Sequence, residues 1–153
     1  MKHLKVGDTA PVFTATDQNG KTISLNDFKG KKLAIYFYPK DNTPGCTVQA
    51  CNLRDNYKLL SDNGIQILGV SADSIASHQK FIDKFALPFP LIADEDKKVI
   101  ETFGVWGPKK FMGKEYDGIH RTTFVINEDQ QIVGILEKPK TKAHAEEILE
   151  IFN

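Results

Sequence analysis

The sequence lacks the features that mark several large classes of protein. Lysine plus arginine and aspartate plus glutamate each number 20 among its 153 residues. There is therefore no excess of positive charge to attract nucleic acid or an anionic membrane surface. No apolar run approaches the roughly 20 residues of a transmembrane helix. We expect a protein that binds neither nucleic acid nor membrane.

Cysteine is scarce, because the chain has only Cys46 and Cys51. Two cysteines are too few for the disulfide framework of a small secreted protein. The N-terminal segment MKHLKVGDTAPVF carries charges where a signal peptide would have its apolar run. We expect a cytoplasmic protein in which any disulfide is transient and catalytic.

Signals for metal and phosphate binding are also missing from the sequence. The four histidines form neither an HxxxH nor an HExxH spacing. The acidic triplet 94–96 lacks the spacing of a calcium loop, and no glycine-rich phosphate loop is present. We therefore expect no metal and no cofactor.

The hydrophobic pattern predicts one α/β domain over residues 1–153. Predicted strands cover 33–38, 65–71, 90–94, 121–127 and 132–136. Predicted helices cover 44–63, 74–86, 97–103 and 141–152, a hairpin lies within 11–25, and 103–118 is predicted as loop. This order, alternating strands and helices and then paired strands, favours a central mixed β-sheet flanked by helices.

The most informative position is Cys46, at the start of a predicted helix. Thr43 is a suitable N-cap and Pro44 a favoured first helical residue, which places Cys46 third in the helix. The free amides and the helix dipole at this end favour a thiolate, the nucleophilic form of the sulfur. The structural alternative is a small buried apolar residue that happens to start a helix.

Cys51 lies five residues after Cys46, on the same predicted helix. Five helical steps leave the two side chains ~140° apart and the Cα atoms roughly 8.6 Å apart. A disulfide needs less than ~7 Å. The two cysteines therefore cannot bond while the helix is wound, and bonding requires local unwinding. The alternative for Cys51 is a thiol packed in the core.

The run Pro39-x-x-x-Thr43-x-x-Cys46, placed between a strand and a helix, resembles the active-site signature of the peroxiredoxins. The second cysteine, the downstream segment 106–126 and the chain length are similar to the bacterioferritin comigratory protein (PrxQ) branch. The resemblance covers nearly the whole chain. It implies a thioredoxin-like fold with an N-terminal β-hairpin extension.

The resemblance also implies roles for individual residues. Cys46 corresponds to the peroxidatic cysteine, which attacks the peroxide and becomes a sulfenic acid. Thr43, Gly45 and Arg121 correspond to substrate-binding residues, with Arg121 stabilising the thiolate and the charge that develops on the peroxide oxygen. Pro39 corresponds to a residue that shields the sulfur from water.

Cys51 matches the resolving cysteine of this branch, which implies an intramolecular disulfide reduced by thioredoxin or a similar dithiol protein. Hydrogen peroxide and organic hydroperoxides are the implied substrates, and a monomer is favoured because one chain holds both cysteines. Two other functions remain open. One is a general thiol–disulfide oxidoreductase, against which the missing CxxC counts. The other is a non-enzymatic redox sensor or holdase.

Several of these positions also have a purely structural interpretation. Thr43 can be only an N-cap, Pro39 only a strand terminator, and Arg121 only a surface charge. Gln49, one turn beyond Cys46, is predicted to face either the site or solvent. The lysines at 109, 110 and 114 form a small basic patch, which is either a solvated loop or a docking surface for an acidic reductant.

Overall fold

The computed structural model describes residues 4–152, so Met1–His3 and Asn153 lie outside the described residues. The strands are β1 (Thr14–Thr16), β2 (Thr22–Ser24), β3 (Lys32–Phe37), β4 (Ile65–Ser71), β5 (Leu91–Ala93), β6 (Trp106–Phe111), β7 (Lys114–Ile119), β8 (Thr122–Ile126) and β9 (Ile132–Leu136). The helices are α1 (Pro44–Asp55), α2 (Tyr57–Asp62), α3 (Ile75–Phe85), α4 (Lys98–Thr102) and α5 (His144–Phe152), and Leu25–Phe28 forms a 3-10 turn. None of the described helices is long and apolar enough to cross a bilayer.

The central sheet has the strand order β5-β4-β3-β8-β9. The first three strands run parallel to one another, whereas β8 pairs antiparallel with both β3 and β9. Parallel neighbours need a crossover, which α1 with α2 supplies between β3 and β4, and α3 supplies between β4 and β5. The prediction of a mixed sheet is confirmed, and the chain enters α1 from the central strand.

Side chains of β3 alternate between two hydrophobic cores, one on each face of the sheet. Leu33, Ile35 and Phe37 pack in the core that contains α4. Ala34 and Tyr36 pack in the core that contains α1, α2, α3 and α5. A strand that is buried on both faces has a continuous run of apolar residues, which is the pattern of residues 33–38. The prediction of flanking helices is confirmed.

The helix predicted over 44–63 is two helices separated at Asn56. The side-chain amide of Asn56 donates to the carbonyl oxygen of Asn52 at 2.8 Å. An asparagine that bonds to nearby backbone in this way competes with helix continuation. The prediction of one uninterrupted helix is wrong at this residue, but both cysteines still lie on α1.

A second side chain, that of Asn52, ties α1 to the beginning of α5. Its Nδ2 donates to the carbonyl oxygen of Lys142 at 2.8 Å, and its Oδ1 accepts from the amide of Ala145 at 2.8 Å. Asn52 directly follows Cys51 in the chain. If α1 unwinds through Cys51, both hydrogen bonds of Asn52 must therefore break.

The N-terminal hairpin predicted within 11–25 is present as β1 and β2, which pair antiparallel. The carboxylate of Asp17 accepts from the amides of Asn19 and Lys21 at 2.8 and 2.9 Å and closes the turn. Ile23 of β2 packs in the core that contains α4, which attaches the hairpin to the central sheet.

A second hairpin occupies the stretch 103–118, which the sequence predicts as loop. β6 and β7 pair from Trp106 with Ile119 to Phe111 with Lys114. The two turn residues, Met112 and Gly113, have φ of 51° and 80°. Two left-handed residues are what a tight two-residue hairpin turn requires. The loop prediction is wrong from residue 106 onward, because Gly107, Pro108 and Gly118 lie within paired strands.

The loop between β3 and α1 is fixed by a buried network around Asp41. The Tyr38 hydroxyl donates to Asp41 Oδ1 at 2.6 Å, and the Ser77 hydroxyl donates to Oδ2 at 2.8 Å. His78, fully buried, faces Asp41 Oδ2 through Nδ1 at 2.7 Å and the carbonyl oxygen of Ile92 through Nε2 at 2.8 Å. Since the network joins the loop to α3 and β5, it holds the residues that precede α1 in place.

Candidate active site

Cys46 lies third in α1, whose first residue is Pro44. Thr43 occupies the N-cap position with an extended backbone, φ −93° and ψ 157°. The amide of Thr47 donates to the carbonyl oxygen of Thr43 at 2.8 Å, which is the first bond of the helix. The amides of Gly45 and Cys46 precede that bond and have no acceptor within the helix. The helix start therefore presents two free N–H groups beside the sulfur.

Arg121 reaches this helix start from the junction of β7 and β8. Its Nη2 donates to Cys46 Sγ at 3.2 Å, and its Nη1 donates to Gln49 Oε1 at 2.5 Å. A Cβ at Gly45 would lie 3.2 Å from Nη2, so glycine leaves the space that the guanidinium fills. The structure thus brings together Cys46, Gly45 and Arg121, three of the residues that the family resemblance singles out.

The sulfur itself is shielded from solvent. Cys46 is 1% exposed and belongs to the core on the α1 face of the sheet. Arg121 is only half-buried, so the guanidinium connects the sulfur to the surface. Pro39, also half-buried, lies at the end of β3 on the loop that leads to α1.

The side chain of Thr43 does not cap the helix as the sequence predicts. Its hydroxyl donates to the carbonyl oxygen of Lys40 at 2.9 Å, and no side-chain capping bond is formed at α1. The N-cap position is occupied as expected, but the hydroxyl proton is held within the preceding loop. The Thr43 oxygen therefore keeps its lone pairs for an incoming donor.

Cys51 lies on the same helix as Cys46, half-buried, and both thiols are free. Gln49 and Ala50, between them in the chain, are 0% exposed. The helix is wound through both cysteines, so the structure represents the reduced protein. Since ideal helix geometry puts their Cα atoms roughly 8.6 Å apart, the pair is out of disulfide range in this state.

The structure shows the positions of two neighbours of the site, Gln49 and Tyr36, which the sequence alone does not determine. Gln49, for which the sequence leaves open the site or solvent, faces the site and accepts from Arg121. Its Nε2 and the Tyr36 hydroxyl are the buried side-chain polar atoms without a hydrogen-bond partner among residues 4–152. Burial, with Cys46 and Asp41 adding to the effect, raises the pKa of Tyr36 well above its ordinary value and keeps the phenol neutral.

Two basic side chains near the site have lowered pKa values. Burial lowers the pKa of His144, with the Arg121 charge adding to the effect and Glu147 opposing it. The His144 ring bonds to Thr123 Oγ1 at 2.8 Å. Burial, then the Arg121 charge, lowers the pKa of Lys109, whereas Cys46 raises it.

A cluster of Asp41, Asp73 and His78 brings potential metal ligands within 4.8 Å of one another. Each of these groups already has protein partners. Asp73 Oδ2 accepts from the Ser71 hydroxyl at 2.6 Å and from the amide of Asp41 at 2.8 Å. The side-chain atoms of these three residues are therefore already engaged in the hydrogen-bond network around Asp41.

Comparison with known proteins decides the family. The model of the AhpC/TSA family matches residues 6–135. The chain belongs to the AhpC/TSA family, the peroxiredoxins. Among curated relatives, Peroxiredoxin Bcp of Escherichia coli (strain K12) is 49% identical over 149 residues, which cover 97% of this chain and 96% of that one. A putative peroxiredoxin bcp of Haemophilus influenzae is 51% identical over 150 residues, 98% and 97% of the two chains.

Solved structures place this peroxiredoxin with the same branch. A mutant of Xylella fastidiosa PrxQ superimposes with a TM-score of 0.87 and 31% identity, over 99% of this chain and 97% of that one. A mutant of Xanthomonas campestris Peroxiredoxin Q gives a TM-score of 0.85 and 36% identity, over 92% and 89%. The predicted thioredoxin-like fold and the resemblance to the PrxQ branch are both confirmed.

Proposed function

We propose that Cys46 is the peroxidatic cysteine of this peroxiredoxin and that hydrogen peroxide and organic hydroperoxides are its substrates. The observation that carries the proposal is the 3.2 Å bond from Arg121 to Cys46 Sγ at a helix start with two free amides. Both features favour the thiolate. A related Xanthomonas campestris bacterioferritin comigratory protein is described as having alkyl peroxide reduction activity, which supports the substrate class.

The first step is a displacement at oxygen. The Cys46 thiolate attacks the terminal oxygen of the hydroperoxide, a sulfur–oxygen bond forms, and the oxygen–oxygen bond breaks. The sulfur is oxidised by two electrons to the sulfenic acid, and the leaving alkoxide takes a proton from solvent to become an alcohol; from hydrogen peroxide the leaving hydroxide becomes water. Arg121 already contacts the sulfur, and its charge stabilises the negative charge that develops on the leaving oxygen.

The neighbours of Cys46 orient the substrate. With its proton held by the Lys40 carbonyl, the Thr43 oxygen accepts from the O–H of the hydroperoxide. The free amide of Gly45 donates toward the peroxide oxygens, and the missing Cβ admits the guanidinium. Pro39 excludes water at the end of β3, in keeping with a sulfur that is almost fully buried. Alignment of sulfur and peroxide before attack is a large part of such catalysis.

The second step resolves the sulfenic acid. The thiolate of Cys51 attacks the Cys46 sulfur and the sulfur–oxygen bond breaks. The leaving hydroxide takes up the proton that the Cys51 thiol released on ionising and departs as water, which gives an intramolecular disulfide. Because α1 holds the thiols apart, its unwinding precedes this step. Thioredoxin or a similar dithiol protein then supplies two electrons, in the reducing cytoplasm. A monomer suffices for the cycle, since both thiols belong to one chain.

The test is a thioredoxin-coupled assay of peroxide consumption on the wild type and two variants. Cys46→Ser should abolish consumption. Cys51→Ser should complete one oxidation and then stop recycling, with no crosslink between positions 46 and 51 by mass spectrometry. Normal turnover by Cys46→Ser would overturn the proposal. Insulin reduction without peroxide, measured in parallel, tests the general oxidoreductase alternative.

A further inference from the structure

The carbonyl that holds the Thr43 hydroxyl belongs to the peptide group between Lys40 and Asp41. Its oxygen accepts from Thr43 Oγ1 at 2.9 Å. The N–H of the same peptide group is the amide of Asp41, which donates to Asp73 Oδ2 at 2.8 Å. A trans peptide group is planar, and its N–H and C=O point in opposite directions. The carboxylate that holds the N–H therefore also sets the direction of the carbonyl.

The Asp73 carboxylate is itself held at the end of β4. The hydroxyl of Ser71, a residue that is 0% exposed, donates to Asp73 Oδ2 at 2.6 Å. In return, the amide of Asp73 donates to Ser71 Oγ at 3.2 Å. Because β3 and β4 are parallel neighbours, the residues that follow them meet at the same edge of the sheet. A chain of contacts thus runs from the sheet through Asp73 and one rigid peptide group to Thr43.

We propose that Asp73 is a positioning residue for the peroxide, which acts through the Lys40–Asp41 peptide group on the Thr43 hydroxyl. The inference rests on the proposed role of Thr43 in binding peroxide. With its proton on the Lys40 carbonyl, the Thr43 oxygen directs its lone pairs to the O–H of the hydroperoxide. If the peptide group turned away, the hydroxyl would rotate, and the direction of its lone pairs would no longer be defined.

This role concerns the alignment of the substrate and leaves the nucleophile unaffected. Among residues 4–152, the hydrogen bonds of the Asp73 carboxylate come from Ser71 and Asp41, and none comes from Arg121. Loss of the carboxylate should therefore slow the attack on peroxide, which requires alignment. It should not slow the reaction of Cys46 with an electrophile that makes no use of Thr43. General loosening of the site would do the opposite, because it would expose the buried sulfur and accelerate that reaction.

The experiment compares two rates in Cys51→Ser protein, in which Cys46 is the only thiol. One is oxidation by one equivalent of hydrogen peroxide, followed by rapid quenching and mass spectrometry. The other is alkylation by iodoacetamide. Asp73→Ala removes the acceptor, whereas Asp73→Asn keeps an oxygen that can accept from the Asp41 amide. The matched control is Asp83→Ala, which removes an exposed carboxylate of α3.

Asp73→Ala should slow oxidation about ten-fold or more and change alkylation less than about two-fold, since a misplacement of ~1 Å can cost about 100-fold. Asp73→Asn should recover most of the loss, and Asp83→Ala should match the parent. In a Thr43→Val background, Asp73→Ala should cause no further loss, because both changes act on one hydroxyl. Oxidation of Asp73→Ala at the parent rate, or an undiminished loss in the Thr43→Val background, would overturn the inference.

Ser71→Ala provides the test if Asp73→Ala does not fold. It removes the second donor to Asp73 Oδ2 and should slow oxidation about two- to ten-fold, as expected for one hydrogen bond, again without slowing alkylation. Faster alkylation together with slower oxidation would indicate loosened packing and would also overturn the inference. Failure of the proposed role of Thr43 is recognised separately, because Thr43→Val would then be oxidised at the parent rate. If Thr43→Val is slow but the variants at Asp73 and Ser71 are not, only this inference fails.

Discussion

Asn52 offers a direct way to change the free energy of unwinding α1. Its two bonds to Lys142 and Ala145 must break if the helix opens through Cys51. Each such bond contributes about 0.5–1.5 kcal/mol, so the pair adds ~1–3 kcal/mol to the cost of opening. Asn52→Ala removes both bonds. Because disulfide formation proceeds from the opened helix, we expect the resolving step to accelerate about five-fold for each ~1 kcal/mol lost.

The assay is rapid mixing of reduced protein with one equivalent of peroxide, followed by acid quenching and mass spectrometry. The disulfide and the sulfenic acid are counted at each time. Asn52→Ala should also accumulate less sulfinic acid under excess peroxide, because its sulfenic acid is resolved sooner. Hydrogen exchange of the segment 46–56 should be faster than in the wild type before any oxidation.

The matched control is Asn63→Ala, at the end of α2. That side chain donates to the carbonyl oxygen of Leu59, within its own helix, and contributes nothing to the link between α1 and α5. It should leave the rate of disulfide formation unchanged. If Asn52→Ala exchanged faster yet formed its disulfide at the wild-type rate, opening of α1 would not limit resolution.

Three further predictions concern the surroundings of the site. Gln49→Met removes the acceptor of Arg121 and should lower kcat/KM for peroxide about ten-fold in the coupled assay, the equivalent of ~1.4 kcal/mol; an unchanged kcat/KM would show that Arg121 holds its place without Gln49. Asp41→Asn replaces the carboxylate that Tyr38, Ser77 and His78 contact and should lower the free energy of unfolding by roughly 1–3 kcal/mol in urea titrations; wild-type stability would contradict a structural role for this network. Burial lowers the pKa of His144 below its ordinary 6.5, so the unfolded chain binds the proton first and stability falls as pH drops below about 6.5. His144→Gln should weaken that fall in urea titrations across the acid range, and equal slopes for variant and wild type would contradict it.

The start of α1 could be predicted from the sequence because its determinants are local. The proline at the first helical position and the threonine before it define where the helix begins, and Cys46 follows at a fixed offset. The end of α1 could not be predicted in this way, because the Asn56 side chain bonds to the preceding turn and ends the helix early. The hydroxyl of Thr43 was also beyond prediction, since the sequence does not show that the Lys40 carbonyl competes for it.

The rest of the site depends on contacts between distant parts of the chain. Arg121 is 75 residues from Cys46, and no periodicity or spacing brings them together; only resemblance to the peroxiredoxins pointed to it. Gln49 had a usable local signal, because three residues after Cys46 is the same face of a helix. The hairpin β6–β7, which leads to Arg121, had none, because Gly107, Pro108 and Gly118 favour a loop prediction.

In the proposed cycle, α1 carries the nucleophile Cys46, the residue Gln49 that holds Arg121, and the second thiol Cys51. Unwinding α1 to form the disulfide therefore disrupts the site that reduces peroxide. Gln49 moves away from the Arg121 guanidinium, and the amides at the helix start no longer point in one direction. The oxidised enzyme consequently cannot bind or reduce peroxide. The next peroxide molecule binds only after a reductant has cleaved the disulfide and α1 has formed again. The rate of turnover thus depends on the rewinding of α1 as well as on the supply of reductant.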